Sequence, residues 1–254
     1  QVGNVAGAFY DVEAYGNYMF LAGGGQGFQI VDVSVPSQPL TVASVGSSLG
    51  SRTACASDGS TVIVSGPQLG LTDVLEIGSV PDLSEPGGMR VVVNKVSQIG
   101  FGANDVAMHG DLGFLASPSS GLKIVDLSNP AVPHVLSTVN LFARGVGVSS
   151  NGRWVFVAAQ FDGLKVVDVL NPAAPVVRAT LDTPGNASDV ALSDDGSRLY
   201  LADYAGGMHI FDVANPVLPR LLGTYSTGDA GPASWVATIT IGGEPYVMLS
   251  GGLN

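Results

Sequence analysis

The 254-residue chain has a formal net charge of −11, with 10 Lys and Arg against 21 Asp and Glu, which excludes the basic surface needed to follow a phosphate backbone. No apolar run reaches the roughly 18 residues of a membrane span, and a hydrophobic share of 46% excludes a disordered chain. Charged residues are 12% of the total, and 35 Gly with 15 Pro point to short strands between tight turns.

In chain order, an apolar strand, a turn and a second apolar strand occupy VEAYGNYMFLAGG at 12–24, and GFQIVDVSVPSQP follows at 27–39. The same front half returns as CASDGSTVIVSG at 55–66, followed by VLEIGSVPDLSEPGG at 74–88. That second unit reads as the same motif with an enlarged turn. VAMHGDLGFLASP at 106–118 leads into GLKIVDLSNPAVP at 121–133. VGVSSNGRWVFVAAQ at 146–160 leads into GLKVVDVLNPAAP at 163–175. VALSDDGSRLYLADY at 190–204 leads into GMHIFDVANPVLP at 207–219, and VATITIGGEPYVMLSGG at 236–252 is a sixth front half. The acids that end the central strand, Asp32, Glu76, Asp126, Asp168 and Asp212, are 44, 50, 42 and 44 positions apart. A fixed period of this size is the signature of a repeat architecture.

Each unit predicts four short strands, placed in the fourth unit at 145–149, 154–158, 164–169 and 176–181. Strands such as Lys165-Val166-Val167-Asp168-Val169 are apolar at consecutive positions. Because successive side chains point to opposite faces, both faces must be covered. Face-to-face stacking of blades does this in a β-propeller; the coils of a β-solenoid are shorter than this period. The expected fold is all-β, a single six-bladed propeller of four-stranded antiparallel blades at about 9–46, 51–99, 103–139, 144–181, 188–226 and 234–254 with 1–8. The last blade is incomplete in sequence. Residues 2–5 resemble the fourth strand at 222–225 and are expected to pair there. The missing third strand would come from a longer parent chain or from a partner, since an exposed edge is a template for pairing. A start at Gln1 fits a processed secreted protein or a cut fragment.

The acid of -IVDV- recurs once per unit. It is expected to fix the following turn by accepting backbone N–H bonds, with the Asn-Pro pairs at 129–130, 171–172 and 215–216 ending the ladder. On GLKIVDLSNPAVP and its relatives the chain resembles the LVIVD-repeat family over nearly its whole length. The resemblance implies a β-propeller in a bacterial or archaeal surface or secreted protein, and it implies no particular activity.

Chemistry is sought where the copies differ. The residues opening the first strands include Asp11, Arg52, Asn104, Asp105, Arg144, Asp189 and Trp235. In a propeller these face the channel mouth, where Arg52, Asn104, Asp105, Arg144 and Asp189 form a candidate ligand site. Asp11, Asp105 and Asp189 are candidate metal ligands, with calcium the possible ion, and no other cofactor is expected. The loops between second and third strands add Gln26, Gln68, Gln160, Phe161, Asp203 and Tyr204, a mixture suited to carbohydrate. No standard catalytic arrangement stands out. His109, His134 and His209 occupy different repeat positions, and Gly23–Gly27 opens no helix, as a phosphate loop would. Cys55 reads as a small buried hydrophobe, and Asn186-Ala187-Ser188 matches a glycosylation acceptor. The reading is a non-catalytic, secreted or cell-surface propeller that binds protein or carbohydrate, or self-assembles, with no nucleic acid and no membrane span. The alternative is a hydrolase or lyase with a channel-mouth site, calcium-dependent in one form.

Overall fold

The computed structural model describes residues 5, 9, 11–23, 27–46, 54–57, 60–66, 70–82, 88–228, 231–241 and 243–251, with the backbone alone considered at 54–57, 79–82 and 88–90. Among these residues there is no α-helix, and the strands form six antiparallel sheets.

The first sheet comprises β1 Asp11–Tyr15, β2 Tyr18–Gly23, β3 Gly27–Asp32 and β4 Leu40–Val45. The second comprises β5 Ala54–Ser57, β6 Thr61–Gly66, β7 Leu71–Asp82 and β8 Gly88–Ile99, and the third β9 Asp105–His109, β10 Leu112–Ser117, β11 Gly121–Asp126 and β12 His134–Val139. The fourth has β13 Gly145–Val148, β14 Trp154–Ala158, β15 Leu164–Asp168 and β16 Val176–Leu181. The fifth has β17 Asp189–Leu192, β18 Arg198–Ala202, β19 Met208–Asp212 and β20 Arg220–Tyr225, and the sixth β21 Ala233–Ile241 and β22 Glu244–Gly251. Each four-stranded sheet is a meander with sequence neighbours paired, as short turns between antiparallel strands dictate. Two compact units divide the chain: Gln1–Gly113 with Val125–His134, and Phe114–Ile124 with Val135–Asn254. The third sheet contributes to both.

Consecutive apolar residues are buried on both faces, as the pattern requires. In β18, Leu199 and Leu201 join Phe156, Leu164, Val166 and Phe211 in one cluster, while Tyr200 and Ala202 join Met208, Ala233 and Val236 in another. In the first unit Phe20, Phe28, Ile30, Val62, Val64 and Leu75 form a comparable cluster. Fully burying a side chain such as Phe156 contributes about 1.5–3 kcal/mol.

The repeated acids build turns. Asp32, Asp126, Asp168 and Asp212 each accept the N–H two residues on, from Ser34, Ser128, Leu170 and Ala214 at 2.8–3.1 Å. The Ser34 hydroxyl first, then its N–H, lowers the pKa of Asp32; the Ser128 N–H, then its hydroxyl, lowers that of Asp126. Arg153 is the main cause at Asp168, holding both carboxylate oxygens at 3.2 and 3.0 Å, and Arg220 is the main cause at Asp212. The residue after each anchor donates to the preceding first turn: Val33 to Asn17, Ile77 to Ser60, Leu127 to Asp111, Val169 to Arg153 and Val213 to Ser197, all at 2.8 Å. A β-bulge recurs just before the acid on the third strand, at Ile30/Val31, Val74/Leu75, Val166/Val167 and Ile210/Phe211, adding local twist. Fourth-strand serines also reach a proline turn: Ser97 Oγ donates to the Pro130 carbonyl at 2.5 Å and Ser137 Oγ to that of Pro172 at 2.6 Å.

The second sheet corrects one expectation. Instead of an enlarged turn after Glu76, β7 and β8 stay paired through Ile77–Val93 out to Asp82–Gly88. In the sister sheets the pairing ends at the acid, opposite Leu40, Val176 or Arg220. The Asp-x-x-Asn-Pro run of the third, fourth and fifth sheets is missing here, and Val91-Val92-Val93 opposite Ile77 and Ser79 favours a continued strand. The sixth sheet has two strands among the described residues, and the expected pairing of residues 2–5 lies outside them.

Candidate functional site

The first strands start at Asp11, Ala54, Asp105, Gly145, Asp189 and Ala233, within two residues of the positions read from the sequence. Arg52 lies outside the described residues. Asn104 and Asp105, both half-buried, belong to the first unit, and Arg144 and Asp189 to the second.

The three candidate metal ligands share one local role. Asp11, Asp105 and Asp189 each accept the N–H of the following residue, Val12, Val106 and Val190, at 2.8–2.9 Å. The second oxygen of Asp189 takes the Val236 N–H of β21 at 2.9 Å, joining the fifth and sixth sheets. Among the described residues no three His, Cys, Asp or Glu side chains form a metal-holding group.

Arg144 and Asp189 are brought close. Gly145, next to Arg144, packs on Asp189 so tightly that a Cβ there would lie 2.6 Å from the Asp189 Cα. The half-buried Arg144 guanidinium sits 5.0 Å from the centre of the Tyr204 ring and donates to Tyr204 Oη at 3.1 Å, a cation–π contact closed by a hydrogen bond.

Tyr204 and Gln160 hold equivalent places in the loops between second and third strands. Both have left-handed backbones, φ 47 and 50, which cost a non-glycine residue about 1–2 kcal/mol. The conformation persists because the surroundings fix it. Gln160 exchanges two backbone hydrogen bonds with Ala187, at 3.1 and 3.0 Å, and Tyr204 exchanges two with Ala233, at 2.8 and 3.0 Å. The next residue, Phe161, is 74% exposed. One backbone frame therefore presents Gln160-Phe161 in one copy and Tyr204 with Arg144 in the next. Gln26 and Gln68 lie outside the described residues.

Asp203 does not belong to that surface, a second correction. It is fully buried. Thr183 Oγ1 donates to its Oδ1 at 2.9 Å, the Gly185 N–H to Oδ2 at 2.8 Å, and His209 Nε2 lies 3.0 Å from Oδ2. The carboxylate accepts, so Nε2 carries a proton, and Nδ1 shares a hydrogen bond with the Thr224 hydroxyl, 3.0 Å away. Gly206 is required beside this acid, for a Cβ there would collide with the Asp203 carboxylate. The network ties the 183–187 connection to the fifth sheet. Comparison of the copies carries the signal: Asp203 and His209 stand where the fourth unit has Ala159 and Lys165. Asn186 is half-buried with Oδ1 enclosed and unpartnered, so it is not the freely exposed asparagine of a glycosylation acceptor. Cys55 lies in β5, and its side chain falls outside the described residues.

Five antiparallel sheets repeat one four-stranded meander and a sixth has two strands among the described residues, the sheet pattern of β-propeller blades. Solved structures resemble the chain in fold at low identity. The β-propeller domain of Cps50 (Swd1) from Myceliophteria thermophila is 15% identical, with a TM-score of 0.66, over 89% of this chain and 74% of that one. A functionally unknown protein from Desulfotomaculum acetoxidans is 12% identical, with a TM-score of 0.68, over 88% and 72%. The WD40 propeller domain of Doa1 is 12% identical, with a TM-score of 0.63, over 93% and 74%. No curated protein sequence matches the chain. The LVIVD repeat matches residues 6–46, 102–140, 143–183 and 184–227, and the chain belongs to the LVIVD-repeat family. The second and sixth sheets lie outside those stretches. Among the described residues no helix is long and apolar enough to cross a membrane.

Proposed function

We propose that this protein is a binding propeller, secreted or on the cell surface, whose ligand face is the end carrying the loops between second and third strands. One observation carries the reading: Gln160 and Tyr204 share a strained backbone held by the same paired bridge, yet their side chains differ. Strain retained at equivalent positions points to function, and a constant frame with variable side chains is how a repeat fold builds specificity. Arg144, Phe161 and Tyr204 supply a cation and two aromatic rings, groups that recognise protein or carbohydrate surfaces. Asn104 and Asp105 in the first compact unit, and Asp189 in the second, stand at the same ends of their own strands, and each is proposed to contribute to ligand binding, calcium included, within its own unit.

The test is an array of glycans and extracellular proteins probed with the wild type and with Arg144→Ala/Phe161→Ala/Tyr204→Gly. A ligand held by the wild type and lost by the variant, at equal melting temperature, supports the reading. Equal binding by both proteins refutes the placement.

A further inference from the structure

We propose that a cavity at the opposite end of the strands, in the first unit, takes the ammonium or guanidinium group of a Lys or Arg side chain from a partner polypeptide. The cavity measures about 390 Å³ and is lined by the second sheet through Ser60, Thr61, Glu76, Ile77, Gly78 and Asn94, and by the third through Asp111, Leu127, Ser128 and Pro130. This volume lies within the usual range of ligand pockets and far exceeds the space of a single ion.

The cavity lies where the second sheet departs from the repeat. In four sister sheets the anchor acid is consumed by its turn, accepting the N–H two residues on. At Glu76 the strand continues, and Gly78 stays in register opposite Val92. The longer side chain is exposed at the cavity's edge with no turn to close. Asp111 faces the same space from the turn between β9 and β10. Two carboxylates line the cavity with an amide and three hydroxyl side chains, and among the described residues no basic side chain does.

That charge selects a cation, and the remaining lining selects its carrier. Ile77, Leu127 and Pro130 give apolar walls for an aliphatic stem, while Asn94 and Ser128 offer acceptors around the head, the arrangement a Lys or Arg side chain satisfies along its length. The wall is firm: Ile77, Val91 and Val93 pack on the buried Phe20–Leu75 cluster, and Ser97 is bonded to the Pro130 carbonyl. Ile77 and Gly78 are also the first residues of the hairpin extension, which runs on to Asp82 and Gly88. A ligand with residues on either side of the basic one therefore meets further protein surface, as a lone amine does not.

The test titrates the full chain with the capped tripeptides Gly-Lys-Gly, Gly-Arg-Gly and Gly-Gln-Gly and with ethylammonium, by chemical-shift mapping and calorimetry at low and high salt. The expected result is binding of the two basic tripeptides, weakened by salt, with shifts at Ile77, Gly78 and Leu127. Glu76→Gln and Asp111→Asn, both at exposed positions, should each weaken it by about tenfold or more at unchanged melting temperature. Equal binding of Gly-Gln-Gly, or indifference to both substitutions, overturns the cation site. Ethylammonium binding as tightly as the tripeptides overturns the polypeptide occupant. Loss of tripeptide binding in Arg144→Ala/Phe161→Ala/Tyr204→Gly, with Glu76→Gln silent, moves the site to the other face.

Discussion

Replacing Asp203 with Ala should cost far more than the loss of an ordinary polar residue. The carboxylate is fully buried and satisfies the Thr183 hydroxyl, the Gly185 N–H and His209 Nε2. Each buried donor left unpaired costs about 1–3 kcal/mol. His209 is 4% exposed and Thr183 8%, but the Thr183 hydroxyl can rotate and the half-buried Gly185 N–H can find water. Taking His209 near the full value and the others near the lower one gives about 3–5 kcal/mol. Asp203→Asn should cost roughly 1–2 kcal/mol. Its amide can donate to Nε2 if the imidazole proton moves to Nδ1 and is accepted by Thr224 Oγ1, leaving one amide oxygen for Gly185 or Thr183. Urea unfolding of wild type and both variants, with slopes compared, separates the cases. Asp203→Ala within about 1 kcal/mol of wild type, or equal to Asp203→Asn, would refute the account of this network.

Asp168→Ala should destabilise by about 1–3 kcal/mol, because it removes the charge-assisted hydrogen bonds that the buried carboxylate accepts from Arg153 and the Leu170 N–H; denaturant midpoints check this. Gln160→Gly should stabilise by about 0.5–1 kcal/mol, the relief of its left-handed backbone exceeding the entropy that glycine adds to the unfolded chain; a lower melting temperature would count against the strain argument. Asp32, Asp126, Asp168 and Asp212 are held below their ordinary values, and Asp195, bonded chiefly by the Ser193 hydroxyl, is lowered to about 2. In acid the unfolded chain therefore binds more protons, so the stability these groups confer is full above about pH 4 and lost as the pH falls toward 2. Melting temperatures across that range should fall, and the Asp195 carboxyl carbon should titrate near 2 by NMR.

The strands were legible because each unit states its pattern several times. Four copies of an apolar strand closed by Asp place the third strand within a residue or so, and the consecutive valines at 166–167 announce burial on both faces. Glu76 showed that the second unit was different, but the sequence did not say whether the extra residues looped or paired; that depends on Val91–Val93 meeting Ile77 across the ladder. The Asp203 network was hidden for a related reason. Asp203 follows a strand and precedes Tyr204 in a loop that reads as surface, and its burial comes from Thr183 and His209, which approach only in the fold. The candidate acids Asp11, Asp105 and Asp189 were visible as a blade-to-blade set. Their backbone hydrogen bonds, made to the very next residue, were not, because a sequence carries no side-chain direction.

The claim that repeated residues build and varied residues bind is tested most directly by a double dissociation on one ligand from the array. Arg144→Ala/Phe161→Ala/Tyr204→Gly is predicted to lose that ligand while melting with the wild type. Asp168→Ala, assayed below its own melting temperature, is predicted to melt lower while binding as the wild type does. If Asp168→Ala instead melts normally and fails to bind, while the triple variant binds, the assignment of scaffold and site is reversed.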